Sequence, residues 1–335
     1  MILIIANARW KGGLSGSDNI YLNFRRYWKD RIYIYEMQNV DFKPFWLAYL
    51  NRIMLGCFVA LFDKNKYEFV YTSSDFWMDT FPGFIYKLKG CKWVASFYLF
   101  APKDNKIYYY SQKIAYWIIK LFADVVCVTN ESMFDKFKGK KLIAVHGGVN
   151  FEKIPRGNFK KEYDCVFIGR FHKTKGIDEL MKIWGLVSDI MPEARLAIIG
   201  GGDSEEEKLS QWAAWHDNVD LLGYMGDERF EIYKKSKLVL YTTPVEYSHF
   251  SMGSVEAMAC GCPMIMFRLP VLQYFKRIKG VSACKDTEQF ARTIIYALDN
   301  PQEVQKEGEQ AKQWAKTWDW KKRAPEVLRQ IRRYL

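Results

Sequence analysis

Short runs of β-branched and aromatic residues recur along this 335-residue chain, each followed by a stretch whose apolar residues have helical spacing. That alternation folds as parallel sheet with crossover helices, because parallel neighbours need a long connection and a helix supplies it. MILIIAN reads as a first strand, and SDNIYLNFRRYWKD places Ile20, Phe24 and Tyr27 on one helical face. RIYIYEM, FVYTSS, WVASFYL, DVVCVTN and KLIAVHGG are further strands, with a helix over 44–62. Residues 150–162, NFEKIPRGNFKKE, are polar, basic and broken by Pro155 and Gly157, the composition of a linker. A second series follows: YDCVFIGRF, a helix from about Gly176 to Ser188, RLAIIGGG, a helix over 205–215, VDLLGYM, a helix over 227–235, LVLYTTP, and a helix from about Gly253. The fold class is therefore α/β, with two open parallel sheets in one chain. Ligands in such folds bind beyond the carboxyl ends of the strands, so a cleft between the sheets is the expected site.

Charge narrows the partners. Residues 1–155 hold 22 Lys and Arg against 13 Asp and Glu, or +9; the remainder holds 28 against 25, or +3, for the total of +12. A basic field attracts nucleic acid, anionic lipid or phosphorylated substrates. No nucleic-acid-binding module or RNP-like strand is present, so nucleic acid is not an expected partner. Seven cysteines, scattered and mostly in apolar runs, fit a reducing cytoplasmic setting. The N-terminal run lacks a basic leader and reads as a strand rather than a signal peptide. Residues 44–62 are apolar, but Asn51 and Arg52 in their middle favour a buried or interfacial helix over a membrane span. In 107–122, Tyr109, Ile114, Trp117, Ile118 and Leu121 recur near Lys113 and Lys120. Two readings stay open there: a core stripe, or a surface that lies against an anionic membrane.

Two segments carry chemistry. Gly169-Arg170-Phe171-His172-Lys173-Thr174-Lys175-Gly176 leaves a strand and opens a helix. Gly169 permits a sharp turn, and Arg170 and Lys175 then reach a point before the strand end where a diphosphate would sit. A basic surface loop is the plain alternative. The second segment runs from Ser248 through His249, Phe250, Ser251, Met252, Gly253, Ser254 and Glu256 to Gly261-Cys262-Pro263. It is a small-residue loop entering a helix, where exposed amides suit an anion. Glu256, read as lying on the first turn, is placed either to accept two ribose hydroxyls or simply to oppose the helix dipole.

The order GRFHKTKG, LAIIGGGD, VDLLGYM and VEAMACGCPMI resembles the donor domain of family-4 retaining glycosyltransferases (glycosyl transferases group 1) of the GT-B fold, over roughly 163–270. The resemblance implies two Rossmann-like domains facing across a cleft: an acceptor-binding domain over 1–155, a nucleotide-sugar domain over 156–315, and a C-terminal helix over 316–335 crossing back to the first. It implies that Arg170 and Lys175 clamp the diphosphate and that Glu256 holds the ribose. Gly169, Gly200 and Gly201 then lie near the nucleotide, and Val219 to Tyr224 near the base. Gly12, Gly13 and Gly16 match the family's glycine-rich loop near the donor phosphates, and Ser17, Asp18, Tyr98 and Phe100 are acceptor-side candidates. Two positions depart from the family pattern. Ser248 stands where the first glutamate of the E-x7-E motif is expected, with Glu246 two residues earlier, and Tyr98-Leu99-Phe100 replaces a segment that often holds a His.

The implied reaction is transfer of a sugar from a UDP- or GDP-sugar to a hydroxyl of a glycan or lipid-linked acceptor, with retention. Neither cofactor nor metal is expected, since Asp18, Asp75 and Asp79 are isolated along the sequence and no DxD stands where a metal would assist. The alternatives are a catalytically silent GT-B protein that binds a nucleotide or partner, favoured by Ser248, and a GT-B sugar-nucleotide epimerase.

Overall fold

The computed structural model describes residues 1–8, 16–36, 44–101, 106–129, 131–202, 204–244, 251–270 and 278–335. Its contacts divide the chain into two units, Met1–Gly148 with Trp320–Leu335, and Val149–Asp319.

The first unit is built on β1 (Ile2–Ile5), β2 (Ile32–Tyr35), β3 (Phe69–Thr72), β4 (Trp93–Phe97), β5 (Val125–Val128) and β6 (Lys141–Ala144). They form a sheet of order β2-β1-β3-β4-β5-β6 with parallel pairings. β1, β3, β4 and β5 are buried throughout, as strands covered on both faces must be. The helices are α1 (Gly16–Tyr27), α2 (Phe45–Phe62), α3 (Trp77–Leu88) and α4 (Lys106–Phe122), with α3 packed between α2 and α4. Right-handed crossovers put α2, α3 and α4 on one face of the sheet and α1 on the other.

The second unit holds β7 (Tyr163–Arg170), β8 (Leu196–Gly201), β9 (Val219–Gly223), β10 (Ser236–Tyr241), β11 (Met264–Phe267) and β12 (Val281–Cys284). They form a second parallel sheet of order β12-β11-β10-β7-β8-β9. Its helices are α5 (Ile177–Ser188), α6 (Glu206–Ala213), α7 (Arg229–Lys235), α8 (Met252–Ala259), α9 (Thr287–Asp299) and α10 (Pro301–Ala315). β11, β12, α9 and α10 extend the series beyond the strands and helices legible from alternation. Asp286 caps α9 by accepting from the Gln289 amide at 2.8 Å.

The division between units falls at Gly148/Val149, earlier than the 155/156 boundary that the polar stretch suggests. Val149 is fully buried, its amide donates to the Trp318 carbonyl at 2.7 Å, and it bridges Asp319. The 150–162 stretch accordingly belongs to the second unit. The last helix, α11 (Trp320–Tyr334), completes the first. It buries Trp320, Ala324, Val327, Leu328 and Ile331, a helical stripe, against α1: Trp28 Nε1 donates to the Ala324 carbonyl at 2.8 Å and the Phe24 and Trp320 rings meet edge to face. Gly148 allows that contact, since a Cβ there would lie 2.5 Å from Trp320.

Candidate functional site

At the carboxyl ends of β7 and β8, Gly169 pairs with Gly200 and Arg170 with Gly201. Gly200 has φ +147°, and a Cβ on it would lie 1.9 Å from the Gly169 carbonyl oxygen, so only glycine lets the two strand ends close. The turn Lys173–Lys175 follows, held by His172, whose Nδ1 accepts from the Thr174 amide. Gly176, with φ +72°, ends the turn and starts α5. It abuts Thr242 beyond β10, whose Oγ1 donates to the Lys175 carbonyl at 3.1 Å.

This turn brings both cations of the sequence motif to one place. The Lys175 stem runs past Gly169, its Cγ 3.6 Å from where a Cβ would stand. Burial, and then the positive charge of Arg170, push the Lys175 ammonium down from 10.5 to about 8. Two cations gathered at one strand end, close enough for Arg170 to perturb Lys175, make an arrangement suited to an anion. The start of α8 rests on the same strand: a Cβ on Gly253 would come 2.7 Å from Ile168 Cγ2. Ser251 precedes the helix and Met252 opens it. Ser254 is fully buried, and its hydroxyl has no hydrogen-bond partner among the described residues. At the end of β9, Gly223 turns with φ +71° and delivers Tyr224, 75% exposed, with its amide beside Gly201.

Glu256 is placed differently from the sequence reading. It is the fifth residue of α8, in the second turn rather than the first, and is nearly buried. Both carboxylate oxygens accept from Arg229, Nε to Oε2 and Nη2 to Oε1, each at 2.8 Å. Sequence reasoning missed Arg229. Its one signal is a cation at the first position of α7, where the helix dipole opposes positive charge and a carboxylate partner is needed. Arg229 Nη1 also donates to the Gly226 carbonyl, so one guanidinium joins the β9–α7 turn to α8.

In the first unit, Gly16, Ser17 and Asp18 open α1, with Asp18 buried; a Cβ on Gly16 would meet nothing within 4 Å. The Tyr98 hydroxyl lies 2.6 Å from that of Tyr71, which accepts from Ser96 Oγ. Phe100 packs its ring against Phe97 and Tyr116. Asp75 and Asp79, far apart from other carboxylates in sequence, are both buried beyond the end of β3. Asp79 accepts from the Asn7 amide at 2.7 Å, Ser74 Oγ at 2.6 Å and Ser73 Oγ at 3.1 Å, tying the ends of β1 and β3 together. Asp75 accepts from Gln112 Nε2 at 2.6 Å. Burial raises Asp79 to about 7 and Asp75 to about 6. Gly12, Gly13, Glu246, Ser248, His249 and Phe250 lie outside the described residues.

The family model for glycosyl transferases group 1 matches residues 162–300, the stretch that carries the two cations, Arg229 and Glu256. An uncharacterized glycosyltransferase of Haemophilus influenzae is 24% identical over 176 residues, covering 50% of this chain and 48% of its own length. The chain thus spans about half of that relative. An uncharacterized glycosyltransferase of Methanocaldococcus jannaschii is 24% identical over 324 residues, 87% of this chain and 79% of its own. Among solved structures, sucrose-phosphate synthase from Thermosynechococcus elongatus superposes with a TM-score of 0.74 at 17% identity, covering 99% of this chain and 98% of that one. Anabaena HepE in complex with UDP and glucose gives 0.74 at 13% identity, covering 98% of each. The fold is GT-B.

Proposed function

We propose that this GT-B chain transfers a sugar from a nucleotide-sugar donor, a UDP-sugar before a GDP-sugar, to an acceptor hydroxyl of a glycan or lipid-linked molecule. The observation that carries the proposal is the gathering of Arg170 and Lys175 at the closed Gly169–Gly200 strand end, beside the start of α8. A departing nucleoside diphosphate gathers charge on its oxygens, and preorganised cations there lower the barrier without reorganising. The two side chains take the part a metal plays elsewhere, so transfer proceeds without one. Tyr224 and the β9–α7 turn face the base, and Glu256, held by Arg229, takes the ribose. Support for uridine comes from Anabaena HepE, solved with UDP and with UDP-glucose. The sugar keeps its anomeric configuration, as the likeness to retaining enzymes suggests.

Calorimetric titration with UDP, GDP and their sugar conjugates tests this, alongside Arg170→Ala/Lys175→Ala. One nucleotide binds, and the double variant loses at least about a hundredfold in affinity, two charge-assisted contacts being removed. Binding of none of them, or undiminished binding to the double variant, overturns the reading. NMR of the anomeric proton in product formed from a donor of known configuration decides retention.

A further inference from the structure

Helix α2 is inside out. Its buried face carries Ala48, Arg52, Gly56 and Ala60 at four-residue spacing, and its outward face carries Trp46, Leu50, Met54, Phe58, Leu61 and Phe62. Trp46 is 61% exposed, Met54 70% and Phe58 60%. The small residues serve close approach to α3: a Cβ on Gly56 would come 2.8 Å from Pro82 Cγ. Arg52, the helix's one charge, is fully buried with Nη1 donating to the Asn7 carbonyl at 2.7 Å. A surface helix in water has the opposite arrangement, since exposing so many large apolar side chains forgoes the hydrophobic stabilisation that ordinarily orients a helix.

On the same side of the sheet, α4 adds a second outward stripe. Tyr110, Ile114, Trp117 and Leu121 are exposed at helical spacing, with Lys106 and Lys113 exposed among them. Lys120 stands 5.5 Å from the Trp117 ring. Lys64 and Lys66 are exposed just beyond the end of α2. Neither helix contains a single Asp or Glu.

We propose that the outward faces of α2 and α4 dock the chain onto an anionic phospholipid bilayer, the helices lying in the plane of the interface. Among the described residues no helix is long and apolar enough to cross a membrane, so the contact is one of lying on, not spanning. Charge selects the occupant. Lipid phosphates complement the lysines that border the apolar stripes, and Trp46, Tyr110 and Trp117 suit the headgroup boundary. A second copy of this chain, in a two-fold contact through the same faces, would set lysine against lysine with no carboxylate on either helix to answer. The docking stands independently of the donor reading, because every residue in it belongs to the first unit.

The test is sedimentation of the full chain with vesicles of phosphatidylcholine alone and of phosphatidylcholine mixed with phosphatidylglycerol. The chain pellets with the anionic vesicles at least about tenfold more than with the neutral ones, and added salt weakens the association. Trp46→Ser/Met54→Ser/Phe58→Ser alters only exposed side chains; it reduces vesicle binding at least about tenfold while leaving thermal melting unchanged. Lys106→Glu/Lys113→Glu abolishes the preference for phosphatidylglycerol. The proposal is overturned if the wild-type chain stays in solution with both vesicles, or if the triple variant pellets as well as the wild type. It is equally overturned if light scattering shows a dimer that the triple variant dissociates and that ignores vesicles.

Discussion

Arg229 and Glu256, 27 residues apart, form a two-pronged ion pair in which both carboxylate oxygens accept from one guanidinium. Burial alone would depress the Arg229 pKa, but the hydrogen bonds and charge of Glu256 hold it above the ordinary arginine value. The pairing answers the carboxylate charge that the second turn of α8 buries. Arg229→Leu leaves that charge without its partner and costs about 2–4 kcal/mol of folding free energy, whereas Arg229→Leu/Glu256→Leu recovers much of it. Urea unfolding of the single and double variants measures both. Because the pair also anchors Gly226 in the turn after Tyr224, the single variant weakens nucleotide binding as well.

The depressed Lys175 pKa makes two opposite pH dependences. Between about 8 and 10.5 the unfolded chain holds a proton on Lys175 that the folded chain has released. Unfolding therefore takes up a proton there, and this group's contribution to stability rises with pH across that window. Binding of a diphosphate behaves in the opposite way, since an adjacent anion raises the pKa again and binding above about 8 must take up a proton. Nucleotide affinity is accordingly flat below pH 8 and declines above it, by up to about tenfold per pH unit. Titrations of wild type and Lys175→Met from pH 7 to about 10 isolate the group; parallel curves for the two proteins would remove Lys175 from the site.

Gly176→Ala tests the closure of the turn. The residue sits at φ +72°, and a Cβ would stand 1.9 Å from the Thr242 carbonyl oxygen, with backbone rather than a pliable side chain in the way. We expect a loss of about 2 kcal/mol or more of stability, together with weaker nucleotide binding as Lys175 moves. Gly185→Ala, within α5, is the control, because nothing lies within 4 Å of its added methyl and its φ is not left-handed.

Asp79 gives the first unit a pH signature of its own. Its folded pKa is about 7 against an ordinary 3.8, burial being the main cause, with the bonds from Ser74, Asn7 and Ser73 pulling it partly back. Between those values the folded chain holds the extra proton, so the contribution of Asp79 to stability declines as pH rises from 4 to 7. Asp79→Asn removes that slope, and the wild-type advantage over the variant shrinks across the same range. Guanidinium unfolding at a series of pH values reads the difference; a constant gap would show that the carboxyl does not change charge there.

Much of this protein is written in short-range sequence patterns. Alternating strand and helix runs determine a parallel α/β chain, because apolar residues spaced by two or by 3.6 must face a core whatever the fold. The Gly169–Gly176 motif determines a cationic turn for the same local reason: a strand end, a glycine and two basic residues within a few positions reach one point without outside help. Tertiary structure alone decided the rest. Glu256 gave no sign in sequence that Arg229 would hold it, since Arg229 lies on another helix and only the packing of α7 against α8 unites them. Residues 44–62 read as apolar nearly throughout, with Asn51 and Arg52 the exceptions, so the pattern could not tell which side of α2 would be buried. That choice fell to size and to one hydrogen bond: Ala48, Gly56 and Ala60 allow α3 to approach, and Arg52 reaches the Asn7 carbonyl, leaving the large side chains outside. Local spacing says how a segment can fold, and the partners that long-range packing brings decide which face of it serves the protein.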